Sequence, residues 1–285
     1  MTTRTVPVPG GRLHVIDEGE PSHPPILLLH AGIADSRAWD GLAPLLVDAG
    51  YRAIRRDMRG YGGTETEDVS YSNRADVVAV LDAFGFGRAV LVGNSVGGQI
   101  ALDTAIEYPD RIAAVIGVAA GLSGYWGDPT PEEQAQFDRM EALEDAILEG
   151  GASADPAKLE ELVALDNRIW VDGPGQPEGR ADPAIRELVA TMNREHGRPG
   201  RIQGRPIPLE PKASDRVGDL RCPVLAVAGE LDASDVVQTA RHLEANAIDA
   251  RALIWPDVAH MIAMEQPERL AAAIVEFLAQ LPRWS

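Results

Sequence analysis

The residues with the clearest chemical meaning are Gly93-Asn94-Ser95-Val96-Gly97-Gly98. A serine with a glycine two residues away on each side fits the pattern G-x-S-x-G. The apolar run Ala89–Val92 before it reads as a strand, and a helix is expected from Val96 to about Glu107, ending before Pro109. So sharp a strand-to-helix turn would push the serine hydroxyl out above a sheet, and the flanking positions must be small to avoid clashes. The helix N-terminus would bring free N–H groups and partial positive charge to where an oxyanion forms. This arrangement suits attack of an oxygen nucleophile on a carbonyl. For the pentapeptide alone, the alternative is a glycine-rich turn that packs closely or binds a phosphate.

A serine hydroxyl is a poor nucleophile until a positioned base takes its proton. Six histidines are available: His14, His23, His30, His196, His242 and His260. In an open α/β sheet the ligand crevice lies beyond the carboxyl ends of the strands, so the base should follow a strand. His260, in Trp255-Pro-Asp-Val-Ala-His260, lies just beyond the expected strand Arg251–Ile254. His14 falls in an N-terminal hairpin, His23 in a Pro-rich loop, His196 in a helical region and His242 inside a helix. His30 also ends a strand. The carboxylate that orients the base should follow a strand as well. Asp232 does, in Gly229-Glu-Leu-Asp232 after Val224–Ala228, and it would fix the imidazole tautomer and stabilise the imidazolium. Its rivals are Glu230, Asp235 and Asp257. Asp235 reads as a helix N-cap, and Asp257 lies on the same short loop as His260.

These residues need a sheet to hold them. Strands are expected at Arg12–Ile16, Ile26–Leu29, Arg52–Arg55, Ala89–Val92, Ala113–Val118, Val224–Ala228 and Arg251–Ile254. Helices are expected at about Ser36–Ala49, Ser72–Phe84, Val96–Glu107, Asp235–Ala247 and Pro267–Leu281. The alternation predicts an α/β fold with a mostly parallel central sheet flanked by helices. It breaks after about Gly121, and no strand run appears before about Asp215. Apolar positions Phe137, Met140, Leu143 and Ile147 mark one amphipathic helix. Leu159, Leu162, Val163 and Ile169 mark a second, and Ile185, Leu188, Val189 and Met192 a third. The expected division is a core of residues 1–122 and 215–285, with a helical cap at 123–214 inserted after strand 6. Three further layer helices of the core are the alternative.

Composition narrows the partners. The 285 residues are 45% hydrophobic and 25% charged, with a formal net charge of −18. That charge disfavours nucleic acid and anionic membranes, both polyanionic. Cys222 is the only cysteine, so neither an intrachain disulfide nor a four-cysteine zinc site can form. Before Pro223 and an apolar run, it reads as a buried strand-edge residue. The N-terminus has no apolar signal core and no apolar stretch approaches 18 residues, so the chain reads as soluble and cytoplasmic.

Over nearly its whole length the sequence resembles the α/β-hydrolase superfamily. The matching pieces, in order, are His30-Ala-Gly-Ile33, Asp57-Met-Arg-Gly-Tyr-Gly, Gly93-Asn-Ser-Val-Gly-Gly, Gly229-Glu-Leu-Asp232 and Asp257-Val-Ala-His260. The order Ser95…Asp232…His260 is the one that class shows. The resemblance implies a Ser95–His260–Asp232 triad and an oxyanion hole made by the backbone N–H groups of Val96 and of Gly32 or Ile33. Many members carry His-Gly where this chain has His30-Ala31. His30 then looks like a loop-packing residue. Serine as nucleophile argues against the epoxide hydrolases and haloalkane dehalogenases of the superfamily, which attack with a carboxylate. The segments Ala31–Asp40 and Arg168–Pro174 look most like 3-oxoadipate enol-lactonase-like and small esterase members, while Gly-Asn-Ser-Val-Gly-Gly is also similar to the C–C bond hydrolases of meta-cleavage pathways. The implied reaction is acyl transfer on a small ester or lactone, without metal or organic cofactor. The candidates for an apolar substrate pocket are Ile33, Trp126, Phe137, Met140 and Trp170. C–C bond hydrolysis and a non-catalytic binding role on the same fold stay open, and a homodimer is compatible with the sequence.

Overall fold

Continuous apolar runs in this chain become strands buried on both faces. The structure is a computed structural model and describes residues 1–282 and Trp284. Nine strands form one sheet; the two-residue strand Glu65–Thr66 pairs antiparallel with Gly11–Arg12, and the other eight are β1 (Thr2–Val8), β2 (Gly11–Glu18), β3 (Pro25–Leu29), β4 (Arg52–Arg56), β5 (Ala89–Asn94), β6 (Ile112–Val118), β7 (Val224–Gly229) and β8 (Ala250–Trp255). Their order is β1-β2-β4-β3-β5-β6-β7-β8. The β1–β2 and β2–β4 pairs are antiparallel and all later pairs parallel. Every residue of β3, β5, β6 and β7 is buried, as strands covered by helices on both faces require. The core cluster runs through these strands into the helices that cover them.

Those helices are α1 (Ala43–Asp48), α2 (Asn73–Ala83) and α3 (Val96–Glu107) in the first half. The expected helix Ser36–Ala49 is split into a 3-10 turn, Ser36–Trp39, and α1. Pro44 explains the break, because its ring clashes with the carbonyl four residues earlier and tolerates only a first helical turn. Between β6 and β7 lie α4 (Pro131–Gly150), α5 (Pro156–Asp166) and α6 (Pro183–Gly197). A π-helical turn at Asn167–Asp172 continues α5. This region also holds a two-residue strand, Arg205–Pro206, paired with Ser70–Tyr71, which is too short to leave a periodic signal in the sequence. The chain then returns to the sheet with α7 (Ser234–Asn246) and α8 (Pro267–Leu278). Asp235 lies inside the first turn of α7 and Ala233 is the N-cap, so the expected Asp235 cap is corrected.

The helical region is tied to the core at its entry. Thr130 and Glu133 form a capping box at the start of α4. The Glu133 carboxylate also accepts from Ser234 N–H (2.8 Å) and Ser234 Oγ (2.6 Å) at the start of α7. Cys222 is buried, and burial pushes its thiol up to about 11. Among the described residues, no helix is long and apolar enough to cross a membrane.

Candidate active site

Ser95 sits where β5 turns into α3, with φ 55° and ψ −118°. A non-glycine residue rarely adopts a positive φ, so the surroundings must hold it there. Its N–H donates to Val118 O (3.0 Å), and its carbonyl accepts from Gln99 N (3.0 Å) and Gly121 N (3.1 Å). A Cβ on Gly93 would overlap the Gly97 carbonyl, and one on Gly97 would overlap the Leu29 carbonyl. Both flanking glycines are therefore demanded by backbone packing. Ser95 is half-buried, while the strand residues before it are buried.

The loops after β7 and β8 bring Asp232 and His260 together. His260 Nδ1 lies 2.9 Å from Asp232 Oδ2 and 3.1 Å from Oδ1. Both residues are buried. A carboxylate so placed holds the proton on Nδ1 and leaves Nε2 as the basic nitrogen. Glu230 and Asp257, the rivals of Asp232, are exposed. Asn94, next to Ser95, donates through Nδ2 to Val118 O (3.1 Å) and to His260 O (3.4 Å), which ties the histidine loop to the serine turn. Ser95 Oγ makes no hydrogen bond to His260 in this structure. Such contacts are often long without substrate and tighten when it binds.

Gly32 lies across from Val96: a Cβ on Gly32 would stand 3.6 Å from Val96 Cγ2 and 4.0 Å from the Tyr61 hydroxyl. Val96 opens α3, so its N–H is one of those a helix leaves without an internal partner. His30 donates from Nδ1 to Ala31 O (2.8 Å) and accepts from Met58 N–H at Nε2 (2.9 Å). Burial lowers its pKa. Both nitrogens are occupied, which leaves none free to act as a base.

The matched family model confirms the fold by sequence: residues 24–267 fit the alpha/beta hydrolase fold family. The chain belongs to this family. The hydrolase is 26% identical to epoxide hydrolase A of Mycobacterium tuberculosis, covering 98% of each chain. It is 27% identical to a 2-hydroxy-6-oxononadienedioate/2-hydroxy-6-oxononatrienedioate hydrolase of Comamonas testosteroni, covering 94% of this chain and 91% of the relative. Among solved structures it superposes on a thermophilic esterase from Thermogutta terrifontis with a TM-score of 0.70 and 25% identity, covering 98% of this chain and 99% of the esterase.

The expected pocket residues fall in different places. Trp170 lies over the hydrolase's histidine, its indole 4.7 Å from the His260 ring centroid to centroid, and Phe137 stacks on Trp170 at 5.8 Å. Met140 is half-buried on the same helix as Phe137. Ile33 packs into an apolar seam with Val171, Val189, Met192 and Met261. Trp126 departs from the expectation. It is 84% exposed and borders a separate hollow with Gln99, Asp103, Lys212 and Asp235, where none of the three triad candidates appears. The stretch Gly124–Pro129 has no helical face to turn the indole inward.

Several residues around the site escape sequence reading. Tyr61 stacks on His196, centroids 4.2 Å apart, and also meets His30 at 5.0 Å. Burial, with smaller effects from His30 and Arg201, lowers His196 to about 4, so it is neutral at pH 7. Asp166 is buried and accepts from Asn193 Nδ2 at 2.7 Å. Burial pushes the Asp166 carboxyl up to about 7 against this hydrogen bond. The only sequence signal was the motif Asp57-Met-Arg-Gly-Tyr61. Asp166, Asn193 and His196 look like ordinary polar positions of amphipathic helices.

Proposed function

We propose that the hydrolase cleaves a carboxylic ester or lactone of a small, largely apolar molecule. Ser95 attacks the carbonyl while His260 Nε2 takes its proton, and Asp232 holds the imidazole and stabilises its cation. The backbone amides of Val96 and Gly32 receive the oxyanion; losing one such donor typically costs about 100- to 1000-fold in turnover. His260 then protonates the leaving alcohol, and water activated by the same histidine releases the acid. The helical segment 123–214 acts as a lid, with Trp170, Phe137 and Ile33 on its seam with the core.

One observation carries this reading: a buried imidazole, paired to a carboxylate at 2.9 Å, is hydrogen-bonded through its backbone to the residue beside a positive-φ serine. Serine at the elbow favours acyl transfer over epoxide opening by a carboxylate. The test is turnover of p-nitrophenyl esters of graded chain length and of several lactones by the wild type and by Ser95→Ala. Turnover lost in Ser95→Ala with the fold intact supports the reading, and wild-type rates in that variant sink it.

C–C bond hydrolysis is the second reading. It uses the same three side chains, and the Comamonas testosteroni relative supports it across nearly the whole chain. A spectroscopic assay with a ring-fission product separates the two.

A further inference from the structure

Residues 170–181 of the helical segment touch both loops that carry the Asp232–His260 pair. Trp170 lies on the His260 ring at 4.7 Å, centroid to centroid. Val171 and Met261, the residue after His260, are buried in one apolar cluster. Gly173 follows the π turn with φ 97°, and a Cβ there would stand 2.3 Å from the Leu231 carbonyl oxygen. The turn is thus pressed backbone to backbone against the residue before Asp232, an approach and a φ that call for glycine. Leu231 N–H in turn donates to Val258 O (3.1 Å), so the Asp232 and His260 loops are also joined to each other.

One ion pair fastens this contact. Arg180 donates from Nε to Asp172 O (2.5 Å) and from Nη2 to Val171 O (2.8 Å). Its Nη1 lies 2.8 Å from Glu265 Oε2, in the short helix Ile262–Glu265. Glu265 Oε1 accepts from Ala259 N–H (3.1 Å), the amide immediately before His260. All three guanidinium nitrogens therefore have partners, and the contacts run unbroken from the turn that carries Trp170 to the backbone beside His260. The Arg180 and Glu265 side chains are 17% and 10% exposed, so water and salt screen them far less than a surface pair. The planar fork of an arginine fixes direction as well as distance, which a lysine ammonium does not. Asp172, fully buried, accepts from Gly179 N–H (3.1 Å) and Ala181 N–H (3.2 Å), which folds the loop back and returns Arg180 to the turn.

We propose that Arg180 and Glu265 are positioning residues of the reaction: together they clamp the Trp170 turn to the His260 loop and so keep the imidazole aimed at Ser95. This rests on the triad reading above. Asp232 holds His260 at Nδ1, and Nε2 must stay free for the Ser95 proton. The remaining restraints on the ring are its own backbone and the surface that covers its face. The clamp acts on both. Glu265 holds the amide before His260, and Arg180 holds the turn whose indole lies on the ring. A misplacement of about 1 Å can cost a reaction about 100-fold, so loss of the clamp belongs in kcat. Neither residue reaches the substrate in this reading, so KM should move little.

The test is steady-state kinetics of Arg180→Met, Glu265→Met and the double variant on one p-nitrophenyl ester. Each single variant should lose about tenfold or more in kcat, with KM within about twofold of wild type. The double variant should lose no more than the worse single one, because the two side chains act as a unit. Arg139→Met, which breaks the exposed Arg139–Glu161 pair between α4 and α5, should keep the wild-type kcat. A wild-type kcat in Arg180→Met, a loss confined to KM, or an equal loss in Arg139→Met overturns the proposal. The second readout is the proton on His260 Nδ1, followed by NMR with isotope-labelled histidine and assigned by its absence in His260→Gln. Its exchange with water should be about tenfold faster or more in the two single variants and unchanged in Arg139→Met. Wild-type exchange in Arg180→Met overturns the proposal. If no ester is turned over, the ester reading fails separately and this proton alone decides. If a Met variant does not fold, Arg180→Lys replaces it, since it keeps the charge opposite Glu265 but not the fork to two carbonyls. It should shift both readouts in the same direction, and wild-type values in it overturn the proposal.

Discussion

The Trp170 indole lies against the His260 imidazole, with ring centroids 4.7 Å apart and planes tilted by 48°. A residue of the helical segment thus touches the candidate base directly. Aromatic pairs of this kind contribute about 0.5–1.5 kcal/mol beyond the area they bury, and an indole face also favours an imidazolium. Trp170→Ala should lower kcat/KM about tenfold or more, while Trp170→Phe should lose less because a ring remains. Steady-state kinetics of both variants on one p-nitrophenyl ester checks this. Wild-type kcat/KM in Trp170→Ala would remove the residue from the site.

Asp232→Asn keeps the shape of the acid but offers His260 Nδ1 a group that can turn its donor toward it. The imidazole then adopts the wrong tautomer, and the forming cation loses its counter-charge. A loss in kcat on the order of 10⁴ is expected, with little change in thermal midpoint. If Glu230 or Asp257 were the true acid, this substitution would cost little and theirs would cost more. Parallel kinetics on the three variants decides.

The elbow also makes a prediction about folding. A Cβ on Gly97 would overlap the Leu29 carbonyl and stand 2.7 Å from the His30 carbonyl. Both are backbone atoms of the central sheet edge and have nowhere to go. Gly97→Ala should destabilise the protein by more than about 4 kcal/mol, the range reserved for severe steric or core defects. Gly87 has nothing within 4 Å of its Cβ position, so Gly87→Ala should stay within about 0.5 kcal/mol of wild type. Urea unfolding of both variants measures the contrast.

How far the sequence could be read depended on whether a residue's role was local. Ser95, Gly93 and Gly97 announce a turn through their own spacing. Strands such as β5 and β7 declare double burial through their apolar runs, Ala89–Val92 and Val224–Ala228. Asp232 and His260 were legible because each lies on a loop that follows a strand, and the carboxyl ends of the strands converge. The long-range pairs around the site were not legible. Asp166 meets Asn193 across 27 residues, and Tyr61 meets His196 across 135, and no local period encodes such pairs. Trp126 misled for a related reason. An aromatic in the helical region suggests a pocket, but its glycine- and proline-rich segment carries it to the surface.

The loop that presents Gly32 is pinned by Asp57, and this gives a prediction about pH. Asp57 accepts from Ser36 N–H (2.8 Å) and Gly63 N–H (2.8 Å), and its Oδ2 lies 2.9 Å from His14 Nδ1. Burial works to raise its carboxyl, but His14 and the two amides outweigh it and hold the pKa well below the ordinary carboxylate range. The hydrogen bond to Asp57 raises His14 above its ordinary value, against desolvation. A depressed carboxyl contributes stability above about pH 4 and loses it as the pH falls through the folded value. A raised histidine contributes fully below about pH 6.5 and loses its contribution as the pH rises through its folded value. Both contributions are present together between about pH 4 and 6.5. His14→Gln should therefore lower the thermal midpoint most near pH 5 and least near pH 9. Melting curves of wild type and His14→Gln across that range test it, and a pH-independent difference would mean that the charge on His14 contributes nothing.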